Sequence, residues 1–370
     1  MSVFPSITCS TLVSTYHASR GRPLLESRNK EVDMRRGPFL LTLILLSSFL
    51  FFGVQLCLGE KPIELRFTTV TTTLHPNFKS TEQFAQEVSK RTNGRVRITV
   101  YPSGTLNPPM ETYNAIKTGI AQMGSAPVGY SAQVMPLNKL FGDALSGIAT
   151  SQEVARLWRK AINTIPELAQ EFEGIHLLWV HSTLPLCIGT KDRPISRLED
   201  FYGLVMRFPP GLEPLAKAWG ASPISMPVAD IYVSLQKGIV HGFFGGAEML
   251  KAMRLAEYTK YVTSAVMVYG LSYAGMNLKV WESLPEDVKK VFEDLSGFAE
   301  EIHCKAMDEA EKEALDFATS EGTKILKIER AELQRIHNVS KPVFEKIAED
   351  LEKRGKPAKR ILQYLSSISK

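Results

Sequence analysis

Strand and helix patterns alternate along residues 61–280, and this alternation constrains the fold more than any other feature. Apolar residues at every second position predict strands, and apolar residues three and four positions apart predict helices. The predicted strands are residues 63–67, 96–100, 175–180, 204–208 and 239–244, and the predicted helices are residues 80–91, 109–118, 152–165 and 212–219. Strands that alternate with helices through short turns indicate helix-covered sheets, the α/β class.

The sequence changes character after residue 280. Ser283 and Glu286, with Pro285 between them, match a helix-capping box that has proline in the first turn. Helical spacing then continues to about residue 320, and a helix of that length reaches roughly 50 Å. Because this exceeds one small domain, we expect the helix to lie along two. A short strand at 324–328 and two amphipathic helices complete the chain.

The first 59 residues carry the pattern of a secretory signal peptide. A basic segment that begins at Met34 precedes an apolar run over 39–54, and small residues stand before Glu60. We expect translation to start at Met34 and cleavage to occur before Glu60, which would leave a soluble exported chain. Two alternatives stay open, namely that the apolar run is an uncleaved membrane anchor or that Cys57 carries a lipid.

The remaining chain has almost balanced charge. The first 59 residues hold six of the 44 Lys and Arg and three of the 39 Asp and Glu, which leaves 38 basic and 36 acidic side chains. This balance gives no electrostatic case for binding nucleic acid. No second apolar stretch approaches the length that spans a membrane. A chain of about 310 residues is more typical of two domains than of one.

The sequence contains no recognisable catalytic or metal-binding motif. The P-loop, the Rossmann glycine pattern, the G-x-S-x-G elbow, the H-E-x-x-H helix and paired-cysteine metal sites are all absent. We interpret the scattered histidines as structural: His75, His181, His241 and His303. Cys187 lies in an apolar run that favours a buried, unreactive thiol, and spacing does not decide whether it pairs with Cys304.

These absences favour a binding protein without a cofactor over an enzyme. Two alternatives stay open from other functional classes. One is an exported enzyme that acts on organic acids through an unrecognised site, and the other is an extracytoplasmic domain that senses a carboxylate for a signalling partner.

One arginine stands in an otherwise apolar strand. Residues 203–208 predict a buried strand with Arg207 near its end, where Pro209 and Pro210 stop it. Burial of a guanidinium without an anionic partner costs several kcal/mol. A ligand carboxylate suits this position because the planar guanidinium donates two parallel hydrogen bonds. An internal pair with Asp or Glu is the alternative.

Several short motifs occur in a distinctive order. They are HP at 75–76, TNGRV at 92–96, YPSGTL at 101–106, RPI at 193–195, LED at 198–200, MRFPP at 206–210, GASPISMP at 220–227, IYVSLQKG at 231–238 and KVWESLP at 279–285. This ordered set resembles the solute-binding subunits of tripartite ATP-independent periplasmic (TRAP) transporters, of the dicarboxylate-binding type. The resemblance covers residues 61–350.

The resemblance implies a two-lobed periplasmic-binding-protein fold that closes on an organic acid, with a long helix across both lobes. It places residues 61–183 and 270–308 in lobe I, and residues 184–269 and 309–370 in lobe II. Arg207 falls on the arginine that grips the ligand carboxylate in such proteins. The implied partner is a TRAP membrane permease driven by an ion gradient, and no cofactor or chemical step belongs to this chain.

The sequence departs from that family in its pocket segment. Where such proteins commonly carry a ligand-facing Asn or Trp after Val240, this chain has Gly245, which removes a donor and is expected to widen the pocket. A second arginine, found near the position of Cys187 in sialic-acid-type relatives, is also missing. With apolar side chains at other pocket positions, these departures favour a monocarboxylate that has an apolar or aromatic body.

The ligand-binding prediction combines the arginine, the glycine and their expected neighbours. Tyr130 follows a glycine-rich strand end, where cleft residues often lie in α/β folds. Alternation along a strand places at least one of Phe243 and Phe244 in the core. The predicted ligand-binding residues are Arg207, Gly245, Phe244, Phe243, Tyr130, Ala126, Val70 and Thr71.

Overall fold

The computed structural model describes residues 61–148 and 150–368, except for the side chains of residues 265 and 266. The predicted signal peptide lies outside the described residues. The strands are β1 (Ile63–Thr69), β2 (Val96–Tyr101), β3 (Met123–Pro127), β4 (Ile175–Thr190), β5 (Val205–Phe208), β6 (Ser222–Ser225), β7 (Gly242–Gly245), β8 (Tyr261–Asn277) and β9 (Lys324–Lys327).

The α-helices of the described chain cover both faces of these strands. They are α1 (Pro76–Arg91), α2 (Thr112–Thr118), α3 (Pro136–Ala144), α4 (Ser151–Thr164), α5 (Pro166–Gln170), α6 (Glu213–Trp219), α7 (Ile231–Gln236), α8 (Met249–Ala252), α9 (Leu278–Ser283), α10 (Glu286–Ser320), α11 (Arg330–Glu352) and α12 (Ala358–Ile368). The predicted α/β class is confirmed. None of the described helices is long and apolar enough to cross a membrane.

The strands form a nine-stranded sheet in the order β2-β1-β3-β8-β4-β7-β5-β6, with β9 paired to β8. Strands β2, β1 and β3 are parallel to one another, as are β7, β5 and β6. The long strands β4 and β8 run antiparallel between these two groups. Each half of the sheet is therefore a small parallel unit, and the two central strands join the halves in a two-lobed fold.

The pairing of β4 with β8 is interrupted midway. After one shift between Leu177 and Trp179, the ladder runs to Ser182 opposite Leu271. It shifts register again on both sides of Pro185 and resumes at Cys187 opposite Ser264. Proline donates no ladder hydrogen bond, which explains an interruption at this position. The interruption coincides with the predicted change of lobe near residue 184. Because α12 packs on α3 and α11 packs on both α3 and α6, the assignment of the C-terminal helices to one lobe stays a prediction.

The long helix α10 confirms the expected length and its contact with both halves. Its 35 residues correspond to about 50 Å at 1.5 Å per residue. Phe292 and Leu295 pack in the cluster that contains β1 and α1, whereas Ala314 and Ala318 pack in the cluster that contains α8. The later strand and two helices are also present as predicted.

The predicted capping box is wrong. Ser283 belongs to α9, where its hydroxyl donates a hydrogen bond to the Val280 carbonyl oxygen at 2.8 Å. Pro285 occupies the N-cap position of α10 and makes no side-chain hydrogen bond. A separate short helix therefore ends where the sequence pattern suggested a single helix start.

Candidate functional site

A cavity of about 190 Å³ lies at the carboxyl ends of β1, β3, β5 and β7. Ligands of α/β proteins bind in this location because loops at the carboxyl ends of parallel strands enclose a crevice. Residues that follow each strand form its walls, and Met307 of α10 contributes from the long helix. Among the described residues, no group of three or more His, Cys, Asp or Glu side chains could hold a metal ion.

Arg207 lines this cavity and is held by backbone carbonyls. Its Nε and Nη2 both donate to the Met226 carbonyl oxygen at 3.1 Å, and Nη1 donates to the Phe244 carbonyl oxygen at 3.1 Å. A guanidinium carries five N–H groups, so two have no partner among the described residues. The side chain is 2% exposed, and no described carboxylate forms an ion pair with it. The internal pair weighed from the sequence is therefore not found in this part of the chain.

Burial lowers the pKa of Arg207 to about 10. The group therefore stays protonated at neutral pH, although it is removed from water. Two carbonyl dipoles stabilise the charge only in part, because neither carries a full negative charge. The arrangement leaves a buried cation with two free donors at the cavity wall, which suits a bidentate carboxylate.

Tyr130 also lines the cavity, close to Arg207. Its hydroxyl oxygen accepts a hydrogen bond from the Val228 amide at 3.1 Å, and its own O–H has no acceptor among the described residues. Burial raises the pKa of Tyr130, so the hydroxyl remains a donor at neutral pH. Val70, Thr71 and Ala126 line the same cavity, so the structure brings these predicted residues together.

The two predicted phenylalanines do not line the cavity. Phe243 and Phe244 are each 0% exposed and point to opposite faces of the sheet. Phe243 packs in the cluster that contains α8, and the ring of Phe244 lies 5.2 Å from Trp219. The expectation that one ring faces the ligand is therefore corrected: both are core residues, because helices cover both faces of β7.

The predicted widening at Gly245 is also corrected. A Cβ atom on Gly245 would lie 2.2 Å from Met249 Cε and 3.5 Å from Arg207 Nη1. The methionine side chain therefore fills the space that the missing side chain leaves. Gly245 lines the cavity, and its neighbour there is a flexible apolar group.

Several polar side chains of the cavity wall were not predicted as ligand-binding residues, and they include four charged or titratable groups. Lys139 and Asp143 form an ion pair one helical turn apart on α3. Burial raises the pKa of Asp143, while the charge of Lys139 opposes this shift. Glu248 and His181 line the cavity as well, although the sequence alone suggested a helix-end carboxylate and a structural histidine. Only their burial against distant elements, which local spacing does not encode, identifies them as wall residues.

Cys187 and Cys304, the two cysteines among the described residues, are free, buried thiols. Burial raises the pKa of Cys187 well above its usual value and that of Cys304 to about 11. The expected unreactive environment of Cys187 is confirmed, and neither thiol belongs to the cavity wall.

Comparison with known proteins gives a consistent match over most of the chain. A family model described as bacterial extracellular solute-binding protein, family 7 (DctP), matches residues 67–351. The C4-dicarboxylate-binding periplasmic protein DctP of Rhodobacter capsulatus is 26% identical over 309 residues, which cover 78% of this chain and 87% of that protein.

Solved structures agree with the fold. A TRAP periplasmic solute-binding protein from Desulfovibrio salexigens is 30% identical, with a TM-score of 0.72 and coverage of 82% of this chain and 95% of that one. A TRAP solute-binding protein from Rhodoferax ferrireducens, in complex with copurified benzoate, is 21% identical, with a TM-score of 0.77 and coverage of 82% and 97%.

Proposed function

The chain belongs to the bacterial extracellular solute-binding protein family 7, and from this premise we propose that it captures a monocarboxylate with an apolar or aromatic body. It is a TRAP solute-binding protein for organic acids, so the open question is which acid it takes. In the proposal, Arg207 binds the carboxylate, and Tyr130, Val70, Thr71, Ala126 and Gly245 contact the rest of the ligand.

The observation that carries the proposal is the unused hydrogen-bonding capacity of Arg207. A guanidinium that is 2% exposed and keeps two free N–H groups is costly unless an anion meets it. A ligand carboxylate would accept both hydrogen bonds and supply the missing charge. The O–H of Tyr130 would donate a third hydrogen bond to the same anion.

The other cations of the wall argue for a single ligand carboxylate. Among the described Lys and Arg residues of the cavity wall, Lys139 is already neutralised by Asp143, which leaves Arg207. A second ligand carboxylate would be buried without a partner, which is unfavourable. The benzoate in the Rhodoferax ferrireducens protein supports an aromatic body, whereas the name of the Rhodobacter capsulatus relative indicates a C4-dicarboxylate. The single unpaired cation among the described Lys and Arg residues of the cavity wall favours an aromatic monocarboxylate over a C4-dicarboxylate.

The proposal places the protein in the periplasm after cleavage of its predicted signal peptide. There it would deliver the acid to TRAP membrane permease subunits and perform no chemical step itself. The family description as extracellular solute-binding proteins supports the location outside the cytoplasm and the binding role.

A ligand screen of the purified protein tests the proposal. Benzoate, phenylacetate and branched aliphatic monocarboxylates should raise the melting temperature more than succinate, malate or sialic acid, and calorimetry should give the same ranking. If only dicarboxylates or sugar acids bind, the proposed ligand class is wrong, although the family assignment stands.

A further inference from the structure

The cavity has a second polar region apart from Arg207. It comprises His75, Asn77, Thr81, His181 and Glu248, which all line the same space; we refer to it as the acidic wall. Glu248 is 6% exposed, and no described residue donates a hydrogen bond to its carboxylate. The basic side chain that lies within 4.0 Å among the described residues is His75, whose Nε2 is 3.9 Å from Glu248 Oε1, which is beyond hydrogen-bond distance.

His75 faces Glu248 but is too far away to form a hydrogen bond with it. His75 Nδ1 accepts a hydrogen bond from the backbone amide of Asn77 at 3.2 Å, so a neutral ring carries its proton on Nε2, on the side of Glu248. Glu248 also makes no capping hydrogen bond at the start of α8. The carboxylate therefore keeps nearly all of its accepting capacity for a group inside the cavity.

Two further acidic residues lie close to Glu248. Glu311 and Asp308 stand close to each other on α10, and burial together with the charges of Glu248 and Asp308 raises the pKa of Glu311 to about 8. The nearby Lys251 is engaged by the exposed Glu313 at 2.7 Å. Glu311 therefore keeps its proton at neutral pH, because another negative charge beside Glu248 and Asp308 is unfavourable. The buried positive charge of Arg207 lies at the same cavity.

An independent observation at the acidic wall also points to a missing partner. His181 is 2% exposed, and its Nε2 lies 3.1 Å from Asn77 Nδ2. His181 Nδ1 and Asn77 Oδ1 are both buried with no hydrogen-bond partner among the described residues. If the amide is turned over, the pair still keeps one unused donor and one unused acceptor. Buried polar atoms without partners are rare and call for an explanation.

Arg207 and Glu248 flank the same two glycines. Arg207 Nη1 lies 3.5 Å from the position of a Cβ atom on Gly245, and Glu248 Oε2 lies 2.0 Å from that on Gly246. Arg207 and Glu248 form no ion pair with each other, and both line the same cavity. The absence of side chains at these glycines lets both groups approach the strand end.

We propose that the acidic wall binds a hydrogen-bond-donating substituent, a hydroxyl or a protonated amine, on the same acid whose carboxylate Arg207 binds. This inference rests on the proposed function. An amine would neutralise the charge of Glu248, and a hydroxyl would match the unused donor and acceptor of His181 and Asn77. The ligand class is therefore hydroxylated or aminated monocarboxylates rather than plain hydrocarbon acids.

Calorimetry with acids of one skeleton tests this inference. We use 3-phenylpropanoate, 3-phenyllactate and phenylalanine as one series, and benzoate, 3-hydroxybenzoate and 3-(aminomethyl)benzoate as another. At least one acid with a donor should bind about tenfold more tightly than its parent. A preference for the amine identifies Glu248 as the main acceptor, and a preference for the hydroxyl identifies the pair of His181 and Asn77.

Two variants locate the effect. Glu248→Gln should reduce the affinity ratio of aminated to parent acid to about one, whereas Glu309→Gln, which alters an exposed carboxylate (63%) outside the cavity wall, should keep the wild-type ratio. His181→Phe should likewise reduce the affinity ratio of hydroxylated to parent acid to about one. If a variant does not fold, the ranking by the wild-type protein decides alone.

The outcomes separate this inference from the proposed function. Parent acids that bind as tightly as their donor-bearing analogues overturn the inference and leave the proposed function intact. Equal ratios in Glu248→Gln and in the wild-type protein overturn the role of Glu248. Failure of every monocarboxylate to bind the wild-type protein overturns the proposed function itself.

Discussion

The two charged regions of the cavity are built in opposite ways. Arg207 is fixed by two backbone carbonyls at 3.1 Å, so its orientation is set before any ligand arrives. Glu248 has one basic side chain, His75, at 3.9 Å among the described residues and lies near other acidic residues. Among the described residues, one region is a rigid cation without an anionic partner, and the other is a buried carboxylate without a hydrogen-bond donor.

This difference separates affinity from selectivity. A preorganised guanidinium loses little entropy when a carboxylate binds, so every acid gains from it. The acidic wall favours only those acids that bring a donor and penalises those that bring a second anion. We therefore expect changes at Arg207 to affect all ligands, and changes near Glu248 to affect the ranking of ligands or the stability of the protein.

Replacement of Arg207 should have the largest effect. Arg207→Ala should weaken the binding of any acid ligand by several kcal/mol, because the carboxylate loses its charged hydrogen bonds and is buried unpaired. Arg207→Lys should restore little, because an ammonium cannot reproduce the planar pair of donors. Calorimetry measures both, with Arg97→Ala, an exposed residue at 63%, as the control. Wild-type affinity in Arg207→Ala would eliminate the clamp.

Removal of the titratable carboxyl group of Glu311 should change the pH dependence of stability. The pKa of Glu311 is about 8 in the folded protein, against 4.5 ordinarily. Between these values the unfolded chain has lost a proton that the folded protein retains, so this group lowers stability as the pH rises from 4.5 to 8.

Glu311→Gln should remove that loss, by at most about 1.4 kcal/mol per pH unit. Urea unfolding at pH 5 and pH 8 should therefore show a gain over the wild-type protein that grows with pH. Glu309→Gln, which alters an exposed residue of the same helix (63%), should follow the wild-type protein. Parallel pH profiles for all three proteins would mean that Glu311 is not held protonated.

Substitution of Gly245, at the end of β7 between Arg207 and Glu248, should have a smaller effect on stability. Gly245→Ala places a Cβ atom 2.2 Å from Met249 Cε and should cost about 1 to 2 kcal/mol of unfolding free energy, because the methionine has to move. Met249→Ala should remove this cost in the double variant. Thermal unfolding of the two single variants and the double variant measures the coupling, and strictly additive effects would argue against the contact.

The smallest effect is expected at Tyr130. Tyr130→Phe removes the hydrogen bond with the Val228 amide and the donor available to the ligand, so affinity should fall by about 1 kcal/mol. Tyr232→Phe removes a comparable hydroxyl contact, to Glu257 at 2.7 Å, outside the cavity wall. Calorimetry with benzoate compares the two, and an equal loss in both would assign the effect to general stability.

Local sequence patterns predicted the helices and strands that are buried on one face only or that have recognisable end residues. The alternation at 96–100 and the helical spacing up to residue 320 needed no tertiary information. Strand β8 was not predicted because most of its described side chains are buried on both faces, so it lacks the alternation that marks a half-exposed strand. The capping box failed because an additional short helix ends at Ser283.

The site residues also divide into those that local patterns indicate and those that depend on tertiary packing. Arg207 and Tyr130 stand at strand ends, where position in an α/β fold already suggests a cleft, although their contact with a ligand stays a prediction. Two other features depend on how the chain packs after β7. Met249 fills the space beside Gly245, and Glu248 lies without a hydrogen-bond donor among the described residues. Sequence spacing does not show which side chain fills the space beside a glycine.

The central position of β4 and β8 has a consequence for how the chain assembles. Strand β3 pairs with β1 on one side and with Ser272–Met276 of β8 on the other. During synthesis its second edge therefore has no native partner until the chain has passed residue 276. Pairings between distant segments form slowly, and an open strand edge can recruit another chain. A truncation before β8 should therefore yield an aggregating product rather than a stable half.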